Sequence, residues 1–169
     1  MTKPRTKTPD LKLNLINDTV WDLSEQDPDS FTLVVFYRGL HCPKCKLQLE
    51  EITEYLEDFV ELGVNIVAAS MDTQQRAKQA GDEWDVTSLP IAYGMNEKKA
   101  REWGLYISEG ISKKEPEIFS EPGLFLIDNE GLLFFSSVQT MPFARPGTKD
   151  VINAIKFIQN KDYPARGEK

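Results

Sequence analysis

Two cysteines, Cys42 and Cys45, stand in the stretch "FYRGLHCPKCK" and are the only cysteines of the chain, and His41, directly before them, is its only histidine. Two thiols separated by two residues can bind a metal, staple a loop, cycle between dithiol and disulfide, or lie inert in a core. Zinc is disfavoured, because no second cysteine pair and no further histidine completes four ligands. A c-type haem needs its histidine after the second cysteine, not before the first. A structural staple is disfavoured too, since closing so short a loop constrains the unfolded chain very little. Redox cycling fits better: one thiolate attacks a disulfide sulfur or a peroxide oxygen, and the second thiol resolves the product. Two inert core cysteines remain the alternative, and placement decides between them.

The elements around the pair predict that placement. "FTLVVFY", Phe31 to Tyr37, is a near-continuous apolar run of the kind buried on both faces of a sheet. Residues 43–62 read as a helix whose apolar positions Leu49, Ile52, Leu56 and Phe59 recur at helical spacing. One turn further back this stripe reaches Cys45, which should therefore face the core. Pro43 suits the first helical position, leaving Cys42 at the cap. There the unpaired backbone N–H groups and the helix dipole favour a thiolate, and Lys44 and Lys46 add positive charge. The expectation is an exposed, activated Cys42 with a half-buried Cys45 within disulfide reach.

The rest of the chain supplies a frame. Residues 1–10 read as a loose arm, and "LKLNL" with "TVWDL" as an N-terminal hairpin. "GVNIVAAS" follows Gly63 as a second buried strand, completing a right-handed parallel βαβ unit. Asp72 can cap a helix to about Gly81, with Ala77, Ala80 and Trp84 on one side. "NEKKAREWG" reads as a short helix between Asn96 and Gly104. Residues 105–121 show no period and read as a surface insertion. "GLFLID-NEG-LLFFSSV" reads as a hairpin turning at Gly131. A last helix runs from Lys149 to Asn160, capped by Thr148, with Val151, Ile155 and Ile158 inward, before a tail at 163–169. Trp21, Trp84 and Trp103 read as packing residues. The whole predicts one α/β domain over 11–162, a central mixed sheet with helices on both faces.

Lys and Arg total 20 against 27 Asp and Glu, a formal net charge of −7. That balance argues against nucleic acid and anionic membrane as partners. Apolar runs such as "LVVFY" and "LFLI" are strand-sized, and "MTKPRTKTP" leads into no apolar leader segment, so the cytoplasm is the expected compartment. No glycine-rich nucleotide loop follows a strand, and neither flavin, nicotinamide nor metal is expected.

On these residues the chain resembles the thioredoxin-like superfamily, and within it the peroxiredoxin-like branch grouped with alkyl hydroperoxide reductases. "VVFYRGLHCPKC" is similar to the family's cysteine segment, and "PDLKLNLINDTVWDL" to its N-terminal hairpin. "EPGLFLIDNEG" resembles the thioredoxin segment in which a cis-proline faces the cysteines, implying that role for Pro122. "PFARPGTKDVINAIKF" resembles the segment that sets an arginine beside the reactive sulfur, implying Arg145. Arg38, at the strand end, could also lie beside the sulfur, and His41 could carry protons. The resemblance implies a thiol-dependent oxidoreductase in which Cys42 attacks and Cys45 resolves, an external reductant of the thioredoxin or glutathione type, and a possible homodimer. Peroxiredoxins carry Thr or Ser three residues before the reactive cysteine and Pro seven before it; here Gly39 and Val35 stand there. The arginine and the hairpin thus favour a hydroperoxide substrate, while the C-P-K-C pair and the missing hydroxyl favour a disulfide. A non-catalytic redox-sensing or binding member of the fold is the alternative reading.

Overall fold

The strand β3 (Phe31–Phe36) organises the molecule, and all six of its residues are buried. A computed structural model, which describes residues 2–169, shows why the run lacks polar alternation. Leu33 and Val35 enter one apolar core while Val34 and Phe36 enter another on the opposite face, as required of a strand covered on both sides. Ahead of it, β1 (Lys12–Leu15) and β2 (Val20–Asp22) pair as the N-terminal hairpin. After it come α1 (Pro43–Glu54), α2 (Leu56–Glu61) and β4 (Val64–Ala69), which lies parallel to β3.

The single helix expected over 43–62 is thus two, separated at Tyr55, which adopts φ −101° and ψ 13°. Thr53 donates its hydroxyl to Leu49 O at 2.7 Å, a back-bond that favours bending. The next helix, α3 (Gln74–Glu83), is capped by Thr73, whose hydroxyl accepts Arg76 N–H at 3.3 Å, and not by Asp72. Next is β5 (Ile91–Tyr93), a strand too short to stand out in the sequence; it runs parallel to β4 and antiparallel to β1, joining the hairpin to the sheet. Asn96 caps α4 (Glu97–Glu102) as expected.

Residues 105–121 are more ordered than their sequence suggests. They carry β6 (Ile107–Glu109) and β7 (Ile118–Ser120), a separate two-stranded sheet. The chain then enters β8 (Gly123–Asp128), antiparallel to β3, and returns through Gly131 at φ +76° into β9 (Leu133–Val138). The final helix, α5 (Thr148–Lys161), has Gly147 at its cap; the Thr148 hydroxyl instead donates to Glu51 Oε2 at 2.7 Å, tying α5 to α1.

The strand order is β2-β1-β5-β4-β3-β8-β9. One core holds Leu49, Phe59, Ala80, Trp84 and Ile155 together with both cysteines. The other is built round Phe36, Trp103 and Phe125, whose rings meet edge to face with centroids 5.1–5.6 Å apart, a favoured aromatic geometry. The N-terminal arm, expected to be loose, runs beside β9: Arg5 N–H donates to Leu133 O at 2.8 Å, and Thr6 O accepts Leu133 N–H at 3.0 Å. A βαβ unit followed by ββα around one mixed sheet is the thioredoxin fold, extended here by the N-terminal hairpin.

Candidate active site

The β3-to-α1 junction places the cysteines. Pro43 opens α1 with no N–H to satisfy, and Cys42 is its cap residue, with extended backbone at φ −105° and ψ 102°. Cys42 Sγ accepts the Cys45 N–H at 3.2 Å, so the sulfur itself fills the capping role normally taken by an oxygen. The two residues form a disulfide with Cα atoms 5.2 Å apart. Cys45 sits beneath, in line with Leu49 and Ile52 on the core face. The expected exposure of Cys42 is corrected: it is 1% exposed and Cys45 0%. The reason is that flanking segments close over the pair from two sides.

On the first side lies Arg145. Its Nη2 is 3.1 Å from Cys45 Sγ and 3.6 Å from Cys42 Sγ. Nη1 donates to Gln48 Oε1 and Nε to Pro142 O, both at 2.7 Å, fixing the guanidinium over α1. Burial, and then the charge of Arg38, push its pKa down to about 10, with Glu121 opposing. Outside this arginine the rim is apolar and exposed: Met141 and Phe143 of the loop before α5 and Leu47 of α1 are 46%, 53% and 58% exposed, with Lys44 Nζ 5.5 Å from the Phe143 ring centre.

On the second side lies Arg38. Its backbone N–H donates to Cys45 Sγ at 3.4 Å. Its Nε lies 3.1 Å from Glu121 Oε2 in a largely buried ion pair, although the approach is out of hydrogen-bonding line. Glu121 Oε1 accepts the Ser108 hydroxyl at 2.7 Å, and the Arg38 guanidinium stacks 4.7 Å from the Phe119 ring centre. Phe119, Glu121 and Ser108 all come from the β6–β7 hairpin or its exit. The stretch without period in the sequence is therefore the second wall of the site.

Beneath the loop, Gly39 takes φ +129°, and a Cβ there would fall 2.7 Å from Asp72 Oδ1. Gly39 offers its carbonyl to Cys42 N–H at 3.1 Å. His41 packs against Phe119 with ring centres 4.6 Å apart, and its Nδ1 is 3.4 Å from Arg76 Nη2. A guanidinium has no acceptor, so this contact suits the tautomer in which Nδ1 accepts. Burial first, then Arg38, hold His41 below its ordinary pKa, against the pull of Asp72.

Pro122 corrects the cis-proline expectation: no cis peptide bond occurs among the described residues. Pro122 is buried at the entry to β8, and its carbonyl accepts the N–H of Gln139, just past β9, at 2.9 Å. It starts a strand, where a residue without an N–H is tolerated. The structure thus gathers Cys42, Cys45, Arg145, Arg38 and Gly39, while Pro122 makes no polar contact with either sulfur. Sequence reasoning missed Gln48, Asp72, Arg76, Phe119 and Glu121. Gln48 alone had a local signal, one turn beyond Cys45 on α1. The others reach the site only through tertiary packing.

A disulfide at the N-terminus of a helix, with an arginine against the sulfurs, makes this a thioredoxin-fold protein with a paired-cysteine site. Comparison with known proteins narrows this. The AhpC/TSA family model matches residues 4–135, and the chain belongs to that family. A relative from Porphyra purpurea named "Putative peroxiredoxin ycf42" is 22% identical over 140 residues, covering 78% of this chain. The chain spans 66% of that relative's length, just under two thirds. Among solved structures, a peroxiredoxin 6 of Arenicola marina matches with TM-score 0.81 at 15% identity, covering 96% of this chain and 76% of its own. AhpC of Enterococcus faecalis matches with TM-score 0.75 at 16% identity, covering 99% and 100%. These structures share the fold.

Proposed function

We propose that the protein is a thiol-dependent oxidoreductase in which Cys42 is the attacking thiolate and Cys45 resolves. With a hydroperoxide, the Cys42 S–O bond forms as the O–O bond breaks, and the departing alkoxide takes a proton to leave as an alcohol. Cys45 thiolate then attacks Cys42 Sγ, forming the S–S bond and expelling hydroxide, which leaves as water. With a disulfide substrate, Cys42 forms a mixed disulfide and Cys45 displaces the second thiol. An external dithiol, or two thiols of the thioredoxin or glutathione type, restores the reduced pair. No step passes through a metal or organic cofactor.

One observation carries this reading: the paired sulfurs cap a helix with an arginine Nη2 at 3.1 Å from one of them. Helix dipole, backbone donors and guanidinium all favour sulfur as an anion. Arg38 contributes its backbone N–H, and Gly39 the turn that delivers Cys42. Pro122, buried ahead of β8, sets where that strand begins and has no substrate contact in the proposal. The exposed Met141, Phe143 and Leu47 rim suits contact with a protein reductant, and a homodimer is part of the proposal.

Stopped-flow mixing of the reduced protein with hydrogen peroxide tests the peroxide branch. Oxidation no faster than that of free cysteine removes it and leaves disulfide exchange. The near-complete burial of both sulfurs favours a second reading, a redox sensor without turnover. A Cys42→Ser chain that still binds its partner, together with a wild type that never turns over, identifies that case.

A further inference from the structure

One ion pair touches each of the three residues that lead into Cys42. Asp72 Oδ2 accepts the Leu40 N–H at 2.7 Å. The same carboxylate lies directly against Gly39, where a Cβ would meet Oδ1, Oδ2 and Cγ at 2.7–2.9 Å. Asp72 Oδ1 accepts Arg76 Nε at 2.9 Å, and Arg76 Nη2 extends to His41 Nδ1 at 3.4 Å. The Asp72 side chain is wholly buried, with Arg76 28% exposed. Its backbone N–H is taken by Ser70 Oγ at 3.2 Å. A buried carboxylate is unfavourable unless paired and hydrogen-bonded. This one is both, yet it does not cap α3, a role that Thr73 takes; its partners are the Arg76 side chain and the Leu40 N–H.

We propose that Asp72 and Arg76 are positioning residues for Cys42. They hold Gly39, Leu40 and His41 so that Cys42 N–H meets Gly39 O and Cys42 Sγ meets the Cys45 N–H. Without that hold the sulfur leaves the helix terminus, and its thiolate loses the donor and dipole that favour it. The inference rests on the reading of Cys42 as the attacking thiolate. The charged and titratable groups around the clamp are Tyr37 and Arg38 just past β3, His41 in the loop, and Glu115 from the β6–β7 segment.

Removing Asp72 alone would alter charge and geometry together, so the decisive variant is Asp72→Asn/Arg76→Gln, which leaves local net charge unchanged. The readout is the pH dependence of Cys42 alkylation by iodoacetamide in the reduced full chain, with the labelled residue identified by mass spectrometry. The midpoint is expected to rise by about one pH unit, cutting the thiolate fraction below it about tenfold. Support for the fold alone would lower the melting temperature without moving this midpoint. A folded double variant whose profile overlays the wild type overturns the inference. If the double variant does not fold, Arg76→Lys decides, because it keeps the charge and loses the fork: a smaller upward shift supports the clamp, and an unchanged profile overturns it. A wild-type midpoint at the ordinary thiol value of about 8.5 is a different failure, since it removes the activated thiolate itself.

Discussion

Arg145 and Arg38 approach the same pair of sulfurs from opposite sides, and the structure equips them differently. Arg145 has only neutral partners besides sulfur, a carbonyl and an amide, and its Nη2 points at both cysteines. Arg38 has its charge opposed by the buried Glu121 and reaches Cys45 only through its backbone. An uncompensated guanidinium against sulfur can stabilise a developing thiolate, whereas a neutralised one mainly holds two segments together. The lesson is that identical side chains flanking one site divide into chemistry and architecture according to what else they touch.

The largest effect expected belongs to the sulfurs themselves. Cys42→Ser should abolish turnover with every substrate. Cys45→Ser should stop after one attack, leaving a sulfenic acid or mixed disulfide visible by mass spectrometry. Next, Arg145→Ala should slow oxidation of the reduced protein about a hundredfold, in line with losing one donor aimed at developing charge, at little expense in stability. Arg38→Ala should do the reverse: a modest rate change, but a loss of about 3 kcal/mol in urea unfolding, because it strands a buried carboxylate. Equal rate losses in the two variants would break the comparison. Glu121→Gln sharpens it from the other side, since unfolding stability should drop while the oxidation rate stays close to wild type.

The smallest effect concerns His41. Its pKa in the folded protein lies below the ordinary 6.5, so below that pH the unfolded chain binds the extra proton more readily. Its contribution to stability is therefore intact above 6.5 and is lost as pH falls from there toward its folded value. Urea midpoints measured between pH 7 and 5 should decline less steeply in His41→Asn than in the wild type, and parallel slopes would contradict the shift.

What was legible in the sequence was what neighbours along the chain decide. The run Phe31 to Phe36 declared a doubly buried strand, the stripe from Leu49 to Phe59 declared which side of its helix faced inward, and Pro43 fixed Cys42 as a cap. Arg145 was found through a segment resemblance rather than through any local pattern. The break at Tyr55 was hidden because apolar spacing continues across it. The strand Ile91–Tyr93 was hidden because three residues carry too little alternation to register. Asp72 read as the cap of α3, but Leu40 and Arg76 occupy its carboxylate, and Thr73 caps instead. Glu121 and Phe119 lay in a stretch without period, and their value comes entirely from the hairpin that folds them back onto Arg38.

Gly39 carries a consequence for how this protein can change over time. Installing threonine there in one mutational step would force a branched residue into a backbone region it avoids, and would drive its first carbon into a carboxylate 2.7 Å away. A hydroxyl at position 39 therefore requires both a different backbone turn ahead of Cys42 and the removal of the Asp72 carboxylate.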